Sequence, residues 1–196
     1  NSYAKKLIAK SKPLEGTVVI TDNQTEGRGQ FGNSWQSEAD QNIALSVIVY
    51  PKLSAVQQFY LSKVASLACV KALKNITNLD FEIKWPNDIL FGDLKVAGLL
   101  AEKTKSGVIV GVGINVSTAK DELPVSHATS VFLATNALIN RNTLLGQILN
   151  NLEQDLLSWQ SGKDLTSKYR ELSATIGKQV RVEMPDGSQI EGTAVD

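Results

Sequence analysis

The first group of residues whose pattern could do chemistry is a polar loop at positions 24–35, which reads Q-T-E-G-R-G-Q-F-G-N-S-W. Three glycines within six residues allow the backbone to approach a ligand closely or to take positive φ angles. Backbone N–H groups exposed in this way can hold phosphate oxygens, and Arg28 offers a planar fork of donors to an anion. Trp35 can cover a flat ring or line an apolar pocket. Taken alone, the loop fits an ordinary flexible surface segment equally well.

A second group joins the end of one strand to the next strand, at positions 84–102. Pro86 interrupts the first strand just before Asn87 and Asp88, whose side-chain oxygens are of the kind that Mg²⁺ prefers. Lys95 opens the following strand, seven residues after Asp88, where its ammonium group can face a pocket. Each residue alone has an ordinary alternative, because Asn-Asp pairs are common in turns and a lone lysine is usually solvated.

The third group is the short motif G-V-G-I-N at positions 111–115. A pair of glycines spaced in this way is a weak signal for dinucleotide binding, which requires glycines between a strand and a helix. Here the glycines fall within an apolar strand, so the dinucleotide interpretation fails on context. The ordinary alternative is a tightly packed strand crossing that ends in the polar residue Asn115.

The elements that must position these groups mix helices and strands without a regular alternation. Predicted helices cover 3–12, a segment that begins at Ser54, the apolar stripe from Leu145 to Trp159, and 164–173; predicted strands cover 16–21, 43–50, 81–85, 96–102 and 108–116. Strands that follow one another without a helix favour an α+β fold, with a mixed, largely antiparallel sheet and helices packed on one face.

The character of the chain changes near its end. Strict alternation at 179–183, followed by a Pro-Asp-Gly turn signal at 185–187, predicts a hairpin that begins a small β-module. We therefore expect one domain over residues 1–175 and the start of a second over 176–196. Both ends of the sequence look cut, since it begins with a helix-like segment and stops within a strand-like segment.

Composition excludes several classes of function. The 20 basic and 20 acidic residues give a formal net charge of zero without a polybasic tract, so we expect no nucleic-acid binding by this chain. No run reaches the roughly 18 apolar residues of a membrane helix, and no signal peptide opens the chain. The single cysteine, Cys69, cannot form an intramolecular disulfide, so we expect a structural thiol and a cytoplasmic protein.

Together the three groups resemble the biotin–protein ligase family. That family carries a GRG-x-x-G-x-x-W loop, a K-W-P-N-D segment, a K-x-A-G-x-L strand and a G-x-G-I-N strand in this order. All four stand in this sequence, with the family's spacing between Asp88 and Lys95. The resemblance is strong over residues 1–116 and looser beyond them. Asn1 is similar to the last residue of the family's S-T-N biotin-binding signature.

The resemblance implies a fold and a reaction. The fold is the class II synthetase-like fold of lipoate and biotin ligases, followed by a small SH3-like barrel. The reaction joins the biotin carboxylate to the α-phosphorus of ATP in the presence of Mg²⁺ and releases pyrophosphate. Biotin then passes from biotinyl-5′-AMP to a lysine of a biotin carrier protein, such as the carrier subunit of acetyl-CoA carboxylase. A homodimer is possible.

The resemblance also implies roles for individual residues. Biotin-binding positions are Asn1, Gln24, Gly27, Arg28, Gly29, Gln30 and Lys95. Positions next to ATP or the adenylate are Arg28, Trp35, Asn87 and Asn115. The expected catalytic residues are Lys95 and Arg28, which supply positive charge where two anions meet, and Asp88, which can take the proton of the carrier lysine. Asp88 is also the expected Mg²⁺ ligand.

Two positions depart from the family pattern, and three alternatives remain open. Gln30 stands where the family often has a second arginine, and Asn33 where a basic residue is common. The nearest alternative is a lipoate ligase, from which the GRG-x-x-G-x-x-W loop distinguishes this chain. The others are a transcription repressor that senses biotinyl-adenylate and a ligand-binding module without catalysis, which would not need Lys95 and Asp88.

Overall fold

A computed structural model of the chain describes residues 1–51, 60–184 and 186–195, with Phe31 described by its backbone alone. Its main layer contains the strands β1 (Val18–Thr21), β2 (Ile43–Val49), β3 (Glu82–Lys84), β4 (Asp88–Phe91), β5 (Leu94–Lys103) and β6 (Val108–Ile114). They form one sheet in the order β1-β2-β6-β5-β4-β3. All five pairings between neighbouring strands are antiparallel.

Two central strands, β2 and β6, give the sheet two different faces. β2 is buried at every position and β6 at all positions but one. On one face Leu45 and Val47 of β2, with Val110 and Val112 of β6, join the main hydrophobic core. Side chains alternate between the faces of a strand, so part of the opposite face carries much smaller residues, at Ala44, Ser46, Gly111 and Gly113. These small residues form the floor of the site described below.

The main core lies between the sheet and a layer of helices: α2 (described over Tyr60–Thr77), α3 (Val131–Thr135), α4 (Arg141–Gln160) and α5 (Thr166–Glu171). α2 and α4 bury apolar stripes that include Leu61 and Val64 of α2 and Leu144 and Ile148 of α4. Asn140 caps α4 by accepting a hydrogen bond from the Thr143 N–H, 3.0 Å away.

The first helix, α1 (Ser2–Ser11), packs on the face of the sheet opposite the other helices. Its buried residues Ala4 and Ile8 contact Ile48 of β2 and Ile109 of β6 in a second, smaller core. The helix thereby covers one end of the small-residue face, and its N-terminus directs Asn1 onto the central strands. The loop at positions 24–35, called the glycine loop from here on, covers the rest of that face.

The last strands, β7 (Gln179–Glu183) and β8 (Gln189–Thr193), form a separate two-stranded antiparallel sheet. The predicted hairpin is therefore confirmed, and it fits the start of an SH3-like module. The division of the chain into domains at residue 176 stays a prediction.

The predicted α+β fold is confirmed, with specific additions. The sequence patterns missed β4, whose four residues begin two positions after Pro86, and the short helix α3. α1 adds a helix on the second face of the sheet. The expected start of a helix at Ser54 lies outside the described residues. Among the described helices, none combines the length and apolarity needed to cross a membrane.

Candidate active site

The floor of the site is a patch of very small side chains on the face of the sheet away from α2 and α4. Gly98 of β5 pairs with Gly113 of β6, which pairs in turn with Ala44 of β2. Two residues away along the same strands, Gly111 pairs with Ser46. Because these positions lack bulky side chains, other groups can lie directly on the backbone of the central strands.

Trp35 lies on this floor. A Cβ atom added at Gly113 would stand 2.7 Å from Cε2 of the Trp35 indole, and one added at Gly98 would stand 3.0 Å from its Cζ3. Any residue larger than glycine would therefore displace the ring. This contact explains Gly113, the second glycine of the G-V-G-I-N motif, because the indole ring of Trp35 occupies the space that a side chain would need.

Lys95 reaches the same floor because of a β-bulge. Residues three apart in a regular strand point to opposite faces, so Lys95 and Gly98 would be separated. However, Ile89 pairs with Ala97 while Leu90 pairs with Lys95, which leaves Val96 as an extra residue. The bulge turns Lys95 to the side of Gly98. Its Nζ lies 2.7 Å from Oδ1 of Asp88 and 5.6 Å from the centre of a Trp35 ring.

The backbone of Lys95 is fixed by the segment 127–129. The Lys95 N–H donates to the His127 carbonyl oxygen, and the Lys95 carbonyl oxygen accepts from the Thr129 N–H, each at 2.8 Å. Asn115 holds that segment in turn, since its Nδ2 donates to the Thr129 carbonyl oxygen at 3.0 Å. The structure thus places Asn115 behind Lys95, where it is buried and supports the backbone.

Asn87 has a similar supporting position. Its Nδ2 donates to the Leu99 carbonyl oxygen, and its own carbonyl oxygen accepts from the Leu99 N–H at 2.9 Å. These two bonds tie the turn before β4 to the middle of β5. Asp88, the next residue, is therefore held opposite Gly98, within reach of Lys95. Contact of Asn87 or Asn115 with an adenylate stays a prediction.

The glycine loop folds back on itself as a narrow hairpin. Trp35 N–H donates to the Gly27 carbonyl oxygen at 3.0 Å, and Gly29 N–H donates to the Asn33 carbonyl oxygen at 2.7 Å. A Cβ at Gly27 would lie 2.0 Å from the Trp35 carbonyl oxygen, so this position needs glycine. A single turn of 3₁₀ helix from Gln30 to Gly32 forms the tip.

Two buried polar atoms of the loop lack a hydrogen-bond partner. They are Oε1 of Gln24, an acceptor, and Nε1 of Trp35, a donor. Buried polar groups are nearly always paired in native proteins, and leaving one unpaired costs roughly 1–3 kcal/mol. Trp35 Nε1 lies over Gly113 at the floor of the site, and Gln24 Oε1 lies beside Gly27 at the base of the loop, so the loop contains one donor and one acceptor that the protein itself does not pair.

A second cluster surrounds Glu102, near the far end of β5. Glu102 Oε1 lies 2.5 Å from Lys5 Nζ of α1, and Oε2 accepts a hydrogen bond from Asn1 Nδ2 at 2.8 Å. Arg28 of the glycine loop approaches Oε2 at 3.5 Å. Gly98 and Glu102 lie on the same face of the strand, about 13 Å apart at roughly 3.3 Å per residue. The two clusters therefore frame an elongated site.

Glu102 is ionised at neutral pH. Burial alone would raise the pKa of its carboxyl group, but hydrogen bonds from Lys5 and Asn1, together with the positive charges of Lys5 and Arg28, outweigh burial and lower the pKa below its ordinary value. Glu102 was not among the residues singled out from the sequence. Its position four residues after Gly98 in a strand was the available signal, because it predicts the same face.

A cavity of about 440 Å³ opens between the glycine loop and β5. Its lining residues are Arg28, Gly29, Gln30, Gly32, Asn33, Leu100, Ala101 and Glu102. The structure thus brings the predicted residues Asn1, Arg28, Gly29 and Gln30 to one end of the site. It brings Trp35, Asp88 and Lys95 to the other end.

A metal site made by the protein alone does not fit these residues. Over the described parts of the chain, no group of three or more His, Cys, Asp and Glu side chains could hold a metal ion. The nearest carboxylate, Asp88, is engaged by the ammonium group of Lys95. Its sequence-based role as an Mg²⁺ ligand therefore gains no support from the geometry.

Cys69 lies in the helical layer, away from the site. It is fully buried in α2, and this burial raises the pKa of its thiol to about 12. The thiol is therefore protonated at neutral pH and is not a nucleophile. This position fits the structural role expected from the sequence.

Comparison with known proteins identifies a family and several relatives that are similar in sequence. The model of the biotin/lipoate A/B protein ligase family matches residues 1–118. The chain is 37% identical over 193 residues to a biotin–[acetyl-CoA-carboxylase] ligase of Mycobacterium tuberculosis, with 96% of this chain and 72% of that protein covered. It is 32% identical over 150 residues to the bifunctional ligase/repressor BirA of Bacillus subtilis, covering 72% of this chain. It spans only 46% of that bifunctional protein.

Solved structures share the fold. A biotin protein ligase from Aquifex aeolicus, in complex with biotin and ATP, matches with a TM-score of 0.85 at 29% identity. The match covers 96% of this chain and 81% of that one. A ligase from Leishmania major, in complex with biotinyl-5-AMP, matches in fold with a TM-score of 0.74 at 20% identity.

Proposed function

The chain belongs to the biotin/lipoate A/B protein ligase family, and on that premise we propose that it is the catalytic part of a biotin–protein ligase. In the first step a biotin carboxylate oxygen attacks the α-phosphorus of ATP, which forms biotinyl-5′-AMP and expels pyrophosphate. In the second step the amine of a carrier lysine attacks the biotinyl carbon and expels AMP. A cytoplasmic location and a biotin carrier domain as the acceptor are parts of this proposal.

The placement of Lys95 is the observation that carries the proposal. Two unit charges about 4 Å apart repel by about 4 kcal/mol at an effective dielectric constant of 20, so a site that joins two anions needs fixed positive charge between them. The bulge in β5 and the hydrogen bonds to the segment 127–129 hold Lys95 on the small-residue floor. A fixed ammonium group there stabilises the negative charge that develops as the carboxylate reaches phosphorus.

Asp88 has two parts in the proposal. In the free enzyme its carboxylate holds the ammonium group of Lys95 at 2.7 Å, which orients it toward the floor. In the second step it accepts the proton that the carrier amine must lose, because the ordinary pKa of a lysine is about 10.4. Mg²⁺ enters as the counter-ion of the ATP phosphates, which suits an ion that binds through substrate phosphates.

Arg28 and the glycine loop provide the other end of the site. The guanidinium group lines the cavity, where its planar fork offers several N–H donors to a bound acid. The unpaired oxygen of Gln24 suits an N–H donor such as those of the biotin ureido ring. Biotin therefore extends from the cavity beside Arg28 toward Lys95, and ATP meets it next to Trp35.

The proposal is tested by exchange of labelled pyrophosphate into ATP, measured with biotin, with lipoate and without either acid. We expect exchange that depends on biotin. Exchange with lipoate alone would transfer the assignment to the lipoate ligases of the same family. Absence of exchange with both acids, in a protein that melts cooperatively, would contradict an adenylating function.

A further inference from the structure

Glu102 has no role in the two-step reaction as described, yet it contacts two of the residues proposed to bind biotin. Its side chain is 19% exposed and lines the cavity between the glycine loop and β5. It contacts Asn1 and Lys5 at the start of the chain and Arg28 in the glycine loop. Acidic side chains leave the solvent mainly when they are paired, and these partners balance the partial burial of Glu102.

The contact with Arg28 leaves most of the guanidinium group available. Arginine carries five N–H donors in a fixed fork, and only one nitrogen, Nη2, approaches Oε2 of Glu102, at 3.5 Å. The Arg28 side chain is 49% exposed and also lines the cavity. Glu102 therefore restrains the direction of the fork without saturating its donors.

The contact with Asn1 fixes the orientation of its side-chain amide, so that the nitrogen faces Glu102 and the oxygen faces Ser46. Nδ2 donates to Glu102 Oε2 at 2.8 Å and to the Leu100 carbonyl oxygen at 3.1 Å, while Oδ1 accepts from Ser46 Oγ at 2.7 Å. A Cβ at Gly111 would stand 2.3 Å from that Oδ1. With both N–H groups engaged, the amide can offer a ligand only its oxygen, which is an acceptor.

Lys5 explains how a carboxylate can stand in a site for anions. Glu102 carries one negative charge against the two positive charges of Lys5 and Arg28, so these three side chains together stay positive. Lys5 reaches Glu102 from α1, outside the residues that line the cavity. It balances the carboxylate from behind, and the charge of Arg28 remains directed at the ligand.

We propose that Glu102 is a positioning residue of the biotin site, which holds the Arg28 fork and the Asn1 amide in their ligand-binding orientations before biotin arrives. This inference rests on the proposed function. Its physical basis is preorganisation: groups already held in the bound geometry lose less conformational freedom on binding. Glu102 itself need not touch the substrate.

The test is titration of biotin by isothermal calorimetry into wild type, Glu102→Gln, Arg28→Ala and the double variant. Hydrogen bonds to charged groups contribute roughly 1.5–3 kcal/mol, so Glu102→Gln should weaken biotin about tenfold or more. In the Arg28→Ala background the same change should have a clearly smaller effect, because part of its influence passes through Arg28. The matched control is Glu191→Gln, which removes an exposed ion pair with Arg181 on the C-terminal hairpin.

The outcomes separate positioning from mere support of the fold. A smaller loss of affinity in the Arg28→Ala background than in the wild-type background supports positioning, provided that melting curves show each variant to be folded at the titration temperature. An equal loss of affinity in both backgrounds would overturn it. Wild-type affinity in Glu102→Gln would overturn it as well, while leaving the proposed function intact. Failure of wild type to bind biotin would overturn both.

Discussion

Individual residues of the site divide into those that face the reacting groups and those that hold them. Lys95, Arg28 and Trp35 carry functional groups that lie on the floor or at the cavity. Asn87, Asn115 and Glu102 bind backbone or side chains beside them. The chemistry of the site therefore depends on a few side chains whose geometry is set by polar neighbours.

Replacement of Lys95 tests the residue nearest the proposed reaction centre. Lys95→Ala should slow single-turnover formation of biotinyl-adenylate by about a hundredfold, since loss of one such charged donor costs about 3 kcal/mol. Lys95→Arg should recover only part of the rate, because a planar fork does not replace a compact ammonium group. Lys103→Ala, at the exposed other end of β5, is the control. Wild-type rates in Lys95→Ala would mean that this lysine is only a solvated strand residue.

Gly113→Ala tests the small-residue floor. The added methyl group would stand 2.7 Å from the Trp35 ring, and such overpacking typically costs about 1–3 kcal/mol. We expect biotin-dependent pyrophosphate exchange to fall by about tenfold. Gly146→Ala, in an exposed position of α4 with open space around it, should stabilise the protein slightly and leave exchange unchanged. Equal exchange in both variants would show that Trp35 can move freely.

The lowered pKa of Glu102 makes a prediction about stability. A carboxyl group whose pKa is lower in the folded state stabilises the fold above its ordinary pKa, here 4.5, and loses that contribution as the pH falls through the folded value. The melting temperature of wild type should therefore exceed that of Glu102→Gln at neutral pH, and the difference between the two temperatures should shrink below about pH 4.5. Thermal melts from neutral pH to about pH 3 measure this. A difference that stays constant over the whole range would contradict it.

The sequence predicted some residues of the site better than others. Lys95, Arg28 and Trp35 were found because their motifs pair a chemically active side chain with glycines or a broken strand. Glu102 was missed because its partners Asn1, Lys5 and Arg28 are distant in sequence. Asn87 and Asn115 were expected beside the adenylate, which stays a prediction, but their Nδ2 donations to the backbone of Leu99 and Thr129 were not expected. Hydrogen-bond partners of this kind depend on tertiary contacts that spacing does not reveal.

At the scale of elements, the glycine loop depends on the residues at its base. Arg141, at the start of α4, places Nη1 3.2 Å from Oδ1 of Asp22 and 3.1 Å from the Asn42 carbonyl oxygen. Its Nη2 lies 3.8 Å from Oδ1 of Asp40. The Asp40 N–H donates to the Asp22 carbonyl oxygen at 2.8 Å. One arginine from the helical layer thus holds together both ends of the loop.

Arg141→Gln should loosen the loop without unfolding the sheet. Loss of hydrogen bonds from a charged group costs about 1.5–3 kcal/mol, so amide hydrogen exchange at positions 24–35 should accelerate by roughly tenfold. Amides of α2 should be unaffected. Arg181→Gln, which breaks an exposed ion pair on the C-terminal hairpin, is the matched control. Unchanged protection of the loop in Arg141→Gln would show that the loop is held by its own hairpin bonds alone.

Apolar pattern predicted most elements, and its failures have physical causes. The central strands were found because β2 and β6 are buried on both faces, which requires nearly continuous apolar sequence. β4 was missed because it is only four residues long, from Asp88 to Phe91. The bulge at Val96 was also missed, although it decides where Lys95 points, because a bulge changes pairing and leaves the sequence pattern almost unaltered.

For the whole molecule, the four ordered motifs gave the family, the α+β fold and the ligase class, and all three are confirmed. What the motifs could not give is the extent of the second module, the oligomeric state and the identity of the carrier. The expectation that this chain has no sequence-specific DNA affinity stays a prediction. A gel shift against salt concentration would test it, because phosphate contacts make binding strongly salt-dependent.

The most direct measurement for the whole account is mass spectrometry of a biotin carrier domain after incubation with the protein, ATP, Mg²⁺ and biotin. The account predicts one biotinyl group on one lysine of the carrier, dependent on ATP. It predicts no modification when lipoate replaces biotin, and little when Lys95→Ala replaces the wild-type protein. A carrier that stays unmodified while wild-type protein binds biotin, or one that takes lipoate in its place, would contradict the account.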